Sequence, residues 1–152
     1  MSLAVDPDFF LLLSGAYARL TGKLLVPHTI DADARARWLY EAAPFCVLAH
    51  NTDADPMFIY ANRSAQRCFG YDWDEMIQLP SRLSAEAPER AERQRLLDAV
   101  EEHGFISNYR GLRIAKSGRR FWIENATVWQ LIDDAGKLHG QAAMFQKPPA
   151  GG

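Results

Sequence analysis

The stretch "FIYANRSAQRCFGYDWDEM", residues 58–76, decides which fold the rest of the chain completes. It begins with the composition of a strand and enters a short helix after Asn62, which Gly70 ends. A second helix starts at once, because Asp72 and Glu75 have the spacing of a capping box. A helix that only covers a sheet needs no such interruption, so the pattern favours short helices wrapped around a pocket.

Residues 1–44 are predicted to form an N-terminal helical extension. Asp6 and Pro7 supply a cap residue and a proline at the first helical position, and Gly22 ends the apolar stripe that follows. A second helix is predicted over residues 33–42. The sequence leaves open whether these helices cover the sheet or form the interface of a homodimer.

The remaining segments predict an antiparallel sheet. Residues 45–49 and 57–61 flank the turn sequence "NTDADP", which makes them a hairpin. After a longer helix that ends at Gly104, the turns "KSG" and "DDAG" join three further strands into a meander. We therefore predict an α+β domain over residues 45–147, with helices on one face of a five-stranded sheet, and a flexible tail over residues 148–152.

Composition and charge exclude several classes of function. The 152 residues carry a formal net charge of −2, which gives no basic field for nucleic acid or for an anionic membrane. The longest apolar run, near residues 9–13, is too short to span a bilayer and follows acidic residues, unlike a signal peptide. Cys46 and Cys68 form no CxxC motif, which favours free thiols in a reducing cytoplasm. We expect a cytoplasmic protein that binds neither nucleic acid nor a membrane directly.

Two groups of motifs resemble a PAS domain. One is the N-x-S-A helix that begins at Asn62, with the following G-Y-x-x-x-E-M helix. The other is "NYRGLRIAKSGRRFWIENATVWQLIDDAGKLHGQAAMF", with its G-R-R-F-W strand, its D-x-x-G turn and a last strand that begins at Gly140. A narrower resemblance is to the MEKHLA family of PAS-like domains, found in stand-alone bacterial proteins and at the C-terminus of plant class-III homeodomain–leucine-zipper transcription factors. The residues that carry it are Ala61, Asn62, Ala65, His103, Gly104, Phe105, Gly118, Arg119, Glu124, Ala126 and Trp129.

The resemblance implies a sheet of strand order 2-1-5-4-3, whose concave face and short helices enclose a small cavity. Such domains usually sense, dimerise or bind a small molecule and seldom catalyse. It therefore implies a sensory, ligand-binding or protein-interaction module in signal transduction or transcriptional regulation. The chain shows no output domain of its own, so a signalling or regulatory protein partner is expected, and a homodimer through the N-terminal helices is a second expectation.

Motifs for catalysis and for cofactors are lacking. The chain has no nucleophile elbow, zinc-protease, P-loop or dinucleotide motif, so we predict no enzyme; a small enzyme that uses the same cavity is the alternative. Some PAS domains hold haem through a histidine on the long helix, but here His103 only ends that helix. The flavin photoreceptors of this group need a cysteine where this chain has "LPSRLSAE", and Cys68 lies one helix earlier. The sequence requires no cofactor, and we expect neither haem nor flavin nor a metal.

Strand alternation predicts which side chains share a face. In the fourth strand it places Phe121, Asn125 and Trp129 on one face, opposite Ala126 and Val128. Both faces carry apolar groups, which indicates that one face lines the cavity and the other meets the N-terminal helices or a second subunit. In the third strand, alternation places residues 105, 109 and 113 together.

The candidate ligand-binding residues follow from these faces and from the expected cavity. Small residues at Gly140, Ala142 and Ala143 leave room for a ligand or for a closely packed helix. The polar candidates are Tyr109, Arg113, Asn125 and Thr127, and the apolar candidates are Phe69, Leu97, Phe105, Trp129 and Met144. A third interpretation is that the protein's own side chains fill the cavity and that the domain acts only through protein contacts.

Overall fold

A computed structural model describes residues 2–148, with the side chains of all these residues except 87–89. Its helices are α1 (Pro7–Thr21), α2 (Arg35–Glu41), α3 (Arg63–Phe69), α4 (Trp73–Met76) and α5 (Ala87–His103), with short 3-10 turns at Ala32–Ala34 and Ser81–Ser84. Its strands are β1 (Phe45–His50), β2 (Phe58–Ala61), β3 (Phe105–Ile114), β4 (Arg120–Ile132) and β5 (Leu138–Gln146).

The strands form one antiparallel sheet in the order β2-β1-β5-β4-β3. This order confirms the predicted α+β fold and its topology, including the meander of the last three strands. Of the predicted tail, residues 149–152 lie outside the described residues. Among residues 2–148, no helix has both the length and the apolar character that are needed to cross a membrane.

The helices begin and end where the sequence predicts caps. The Asp6 carboxylate accepts a hydrogen bond from the backbone N–H of Phe9 at 2.9 Å and so begins α1. Helix α3 ends at Gly70, whose φ is +78°, and Asp72 and Glu75 form a complete capping box at the start of α4. The predicted interruption between two short helices is confirmed.

The Asn62 side chain joins α3 to the sheet and to the N-terminal segment. It is fully buried, and its Oδ1 accepts hydrogen bonds from the backbone N–H groups of Val47 at 3.0 Å and Ala65 at 3.1 Å. Its amide nitrogen donates to the carbonyls of Leu39 at 3.1 Å and Phe45 at 2.9 Å. A buried amide with these partners incurs no desolvation penalty, so it fixes where α3 leaves the sheet.

The sheet separates two apolar cores. On one face, α3 and α5 cover a core that contains Phe69 and Phe121. On the other face, α1 and α2 cover a core that contains Leu13 and Trp129, where the indole Nε1 donates to the Leu13 carbonyl at 3.2 Å. The Tyr17 ring packs edge-on to the same indole, with 4.8 Å between ring centroids. The N-terminal helices therefore cover the sheet, and a homodimer through them stays a prediction.

Two asparagines interrupt the alternation of the long strands. Asn108 in β3 and Asn125 in β4 have φ values of 58° and 52°, in the left-handed region that L residues seldom adopt. The pairing register shifts on both sides of Tyr109, because each strand gains one residue that has no partner opposite. An extra residue in a strand of period two moves every later side chain to the other face.

The predicted face assignment in these strands is therefore wrong across each bulge. Phe121 and Val128 lie in the same core, under α5, whereas Trp129 lies in the core under α1. In β3, Phe105 packs on the α1 side and Tyr109 on the α5 side, although strict alternation would unite them. This change of face across the bulges accounts for the apolar groups that the sequence shows on both predicted faces of the strand.

Candidate functional site

A cavity of about 60 Å³ lies between the sheet and the helices α3 and α5. Part of its wall is apolar, and there the rings of Phe69 and Phe145 meet edge to face with 6.5 Å between centroids. The polar residues at its wall are His50, Ser84, Arg93, Tyr109, Arg113 and Gln141. An apolar cavity with a few convergent polar groups is the usual composition of a small-molecule site.

Strand β3 supplies a short hydrogen-bonded chain to this wall. The guanidinium of Arg113 donates through Nη2 to the Tyr109 hydroxyl at 3.1 Å and through Nη1 to the Leu112 carbonyl at 2.9 Å. The Tyr109 hydroxyl donates in turn to Glu92 Oε2 on α5 at 2.8 Å. The buried Arg113 charge therefore reaches a carboxylate only through an intervening hydroxyl.

Helix α5 contributes a second buried arginine. Arg93 is only 7% exposed and donates from Nη2 to the Ser81 hydroxyl at 2.6 Å. Burial, and then the nearby charge of Arg113, lower the pKa of Arg93 to about 10, so it stays protonated at neutral pH. Among the described side chains, neither arginine lies within ion-pair distance of a carboxylate.

His50, at the end of β1, lines the cavity and has one ring nitrogen without a hydrogen-bond partner among the described residues. Its Nδ1 lies 3.0 Å from the Asn51 carbonyl, so this nitrogen carries the proton and donates it. Burial lowers the pKa of His50, which keeps the ring neutral. Its Nε2 is buried and has no hydrogen-bond partner in the described part of the chain.

Gln141, near the start of β5, presents a second acceptor. The residue is 9% exposed, and its Nε2 donates to the Leu97 carbonyl at 3.3 Å. Its Oε1 is buried and lacks a partner within residues 2–148. The residues that line the cavity therefore include two with guanidinium groups and two that each carry an unsatisfied acceptor.

The cavity adjoins an outer groove of about 250 Å³. His50, Leu97 and Gln141 line both spaces, so they stand between the cavity and the surface. The groove runs between the β1–β2 loop and α5. A small molecule that approaches through this groove therefore passes His50 and Gln141.

The structure brings four of the predicted ligand-binding residues together at this cavity. They are Phe69, Leu97, Tyr109 and Arg113. The other five lie elsewhere: Phe105, Trp129 and Met144 belong to the core under α1, Asn125 is exposed at its bulge, and Thr127 pairs with Met144. The bulges in β3 and β4 explain the positions of the four residues in those strands, whereas Met144 lies in β5 on the face that packs under α1. A binding role for the four at the cavity stays a prediction.

Sequence reasoning missed His50, Arg93 and Gln141. A signal for Arg93 was present, because it shares the i, i+3, i+4, i+7 stripe of α5 with the core residues Leu96 and Val100. A charged residue on an apolar stripe indicates a buried charge that needs a partner. Nothing in the sequence around His50 or Gln141 distinguishes them from ordinary strand residues.

Haem, flavin and metal do not fit the described site. Sites for drug-sized ligands have volumes of about 300–1,000 Å³, whereas this cavity measures about 60 Å³. The His103 side chain is 60% exposed at the end of α5, and Cys68 does not line the cavity. Among the described residues, no three His, Cys, Asp or Glu side chains come together as metal ligands.

Solved structures with a similar fold are PAS and light-oxygen-voltage domains. A PAS domain from Colwellia psychrerythraea is 16% identical, with a TM-score of 0.61 over 74% of this chain and 92% of that one. A light-oxygen-voltage domain studied with a flavin analogue is 17% identical, with a TM-score of 0.58 over 70% of this chain and 78% of that one. An RNA-binding light-oxygen-voltage receptor is 17% identical, with a TM-score of 0.61 over 81% of this chain but only 34% of the receptor. At these identities, the likeness shows the fold alone.

The sequence itself matches a family as well as a fold. No curated protein matches the chain. The family model of the MEKHLA domain matches residues 8–148, which include α1 and α2 as well as the sheet. Because this match spans nearly the whole chain, the chain belongs to the MEKHLA domain family.

Proposed function

We propose that the protein is a PAS-like sensory module that binds a small molecule in the cavity between α5 and the sheet. The observation that carries this proposal is the unmet hydrogen-bonding capacity of His50 Nε2 and Gln141 Oε1 at that cavity. Each buried polar atom without a partner costs about 1–3 kcal/mol. If the cavity were only a gap in an apolar core, these unpaired polar atoms would destabilise the fold without any benefit. A polar ligand would supply their missing hydrogen bonds.

The proposal extends to a regulatory partner protein. The cavity lies on one face of the sheet, and α1 packs on the other face. A ligand that shifts the sheet therefore also shifts the surface on which α1 packs. A partner that recognises α1 would thereby recognise the bound state. Since the inner face of α1 packs on its own sheet, a homodimer through this helix would have to use its outer face.

The same proposal makes the protein a cytoplasmic binding module rather than an enzyme. The described cavity offers neutral His50, two arginines and Tyr109, whose pKa is raised by burial, but its described lining residues include no carboxylate that could act as a general acid or base beside the histidine. Binding without conversion is therefore the chemistry that this arrangement supports best.

Native mass spectrometry of freshly purified protein tests the proposal. We expect a stable added mass that disappears on denaturation, and no Soret or flavin band between about 300 and 700 nm, because the cavity is too small for either group. Gln141→Leu should lose the added mass, since it removes one unsatisfied acceptor. Gln130→Leu is the matched control, because Gln130 is equally buried at 9% but does not line the cavity. A bare mass, with no thermal shift from any added metabolite, would favour a module whose core is filled by its own side chains.

A further inference from the structure

Among the described side chains, positive charge at the cavity exceeds the negative charge that reaches it. Arg93 and Arg113 are each 7% exposed and have no carboxylate partner among the described side chains. Glu92 reaches Arg113 only through a tyrosine hydroxyl, and Asp55 is ion-paired with an arginine outside the cavity. A buried charge without a counter-charge is costly, so an anion in the cavity stabilises the fold. A carboxylate suits two guanidinium groups, because it can accept two parallel hydrogen bonds from one fork and use its remaining lone pairs for the other.

The two acceptors restrict the ligand further. A carboxylate has only acceptor oxygens and cannot satisfy His50 Nε2 or Gln141 Oε1. The ligand therefore needs a donor in addition to its anionic group. An ammonium group is disfavoured, because Arg93 and Arg113 already place two cationic side chains at the cavity wall. A hydroxyl donates without adding a cation.

The volume sets the length of the ligand. A cavity of about 150 Å³ accommodates benzene in a well-characterised protein, whereas this one measures about 60 Å³. The room is therefore sufficient for an acid of about two or three carbons.

We propose that the site binds a short hydroxycarboxylate, whose carboxylate contacts the Arg93 and Arg113 guanidinium groups and whose hydroxyl donates to His50 or Gln141. This inference rests on the proposed function and names the chemical class of its ligand. It assigns the specificity to residues that come from α5, β3, β1 and β5.

Titration calorimetry with four probes tests the chemical class. Glycolate carries both groups, acetate lacks the hydroxyl, glycolamide lacks the charge, and inorganic phosphate is an anion of another geometry. We expect glycolate to bind at least about tenfold more tightly than acetate, because one satisfied acceptor is worth about 1.4 kcal/mol. Glycolamide and phosphate should give no saturable heat.

Arginine variants test the assigned residues. Arg93→Gln should weaken glycolate binding at least about tenfold, because it removes a charge-assisted contact. Arg95→Gln is the matched control on the same helix, since Arg95 is exposed and does not line the cavity. Circular dichroism shows that each variant is folded before binding is compared.

The outcomes distinguish a failure of the hydroxycarboxylate assignment from a failure of the proposed sensory function. Equal affinity for glycolate and acetate, tighter binding of phosphate, or an unchanged affinity in Arg93→Gln would overturn the hydroxycarboxylate assignment. If glycolate fails but the purified protein carries another small molecule that Gln141→Leu loses, the sensory function stands and the ligand class is wrong. If no small molecule binds at all, both are wrong.

Discussion

A Cβ atom at Gly111 would lie 2.8 Å from Nη1 of Arg113. It would also collide with the Tyr109 hydroxyl, which lies on the other side of the same residue in β3. The missing side chain is therefore what lets Tyr109 and Arg113 approach each other across the strand. Tyr109 and Arg113, which flank this glycine in "YRGLR", thus both contribute to the wall of the cavity.

Gly111→Ala should displace this pair and destabilise the protein by about 1–3 kcal/mol, the usual range for an added group in a packed site. Chemical denaturation measures the loss. Gly15→Ala is the control, because its Cβ would meet only the flexible end of Arg19 at 3.3 Å in α1, where alanine is favourable. Equal effects of the two substitutions would show that β3 has room at Gly111.

Arg93→Met should stabilise the ligand-free protein, although it removes a hydrogen bond to Ser81. The reason is that Arg93 is a buried charge without a carboxylate partner among the described side chains, and an apolar group of similar length avoids its desolvation. We expect a gain of about 1 kcal/mol or more in the free energy of unfolding. A lower melting temperature in ligand-free Arg93→Met would mean that the charge is already compensated.

Trp129→Ala should cost about 3–5 kcal/mol, as expected for a large side chain removed from a core. Trp129 is fully buried, and its indole N–H donates a hydrogen bond to the Leu13 carbonyl in α1. Trp122 in the same strand is 46% exposed and stacks only on Arg110, 3.7 Å from the ring centroid, so Trp122→Ala is the control and should cost much less. Urea titrations of both variants measure the difference, and similar losses would contradict the assignment of Trp129 to the α1 core.

Stability should fall as the pH drops below the ordinary His50 value of 6.5. Burial lowers the pKa of His50 in the folded protein, so in this range the unfolded chain binds a proton that the fold excludes. Above this range both states are neutral and His50 has no effect. The free energy of unfolding of His50→Gln should therefore decline less than that of the unaltered protein between pH 7 and pH 5. Parallel curves for the two proteins would contradict the burial of His50.

Most of the fold could be predicted because it is encoded locally. Asp6, Asn62 and Asp72 are caps whose partners lie three residues away, so the sequence around each suffices to predict a helix start. The last three strands are joined by tight turns, which fix their pairing without knowledge of the rest of the chain. The five-stranded order followed from the resemblance to PAS domains.

The site could be predicted only in part because it depends on distant contacts. Tyr109 and Arg113 were accessible to sequence reasoning, since both lie in the predicted third strand, where alternation places them on one face. Nothing local reveals that Asn108 and Asn125 adopt positive φ, and that conformation decides which side chains of β3 and β4 face the cavity. Gln141 and His50 come close to α5 only in the folded sheet, and no local sequence pattern predicts this contact.

The bulge at Asn125 makes β4 more sensitive to deletions than to substitutions. Removing this one residue would restore strict alternation, and every side chain from Ala126 onward would exchange sides. Trp129 would then be driven into a cavity of about 60 Å³, and Val128 would face α1. We therefore expect related proteins to tolerate a different amino acid at position 125. A relative that lacks this residue should have different side chains at its cavity.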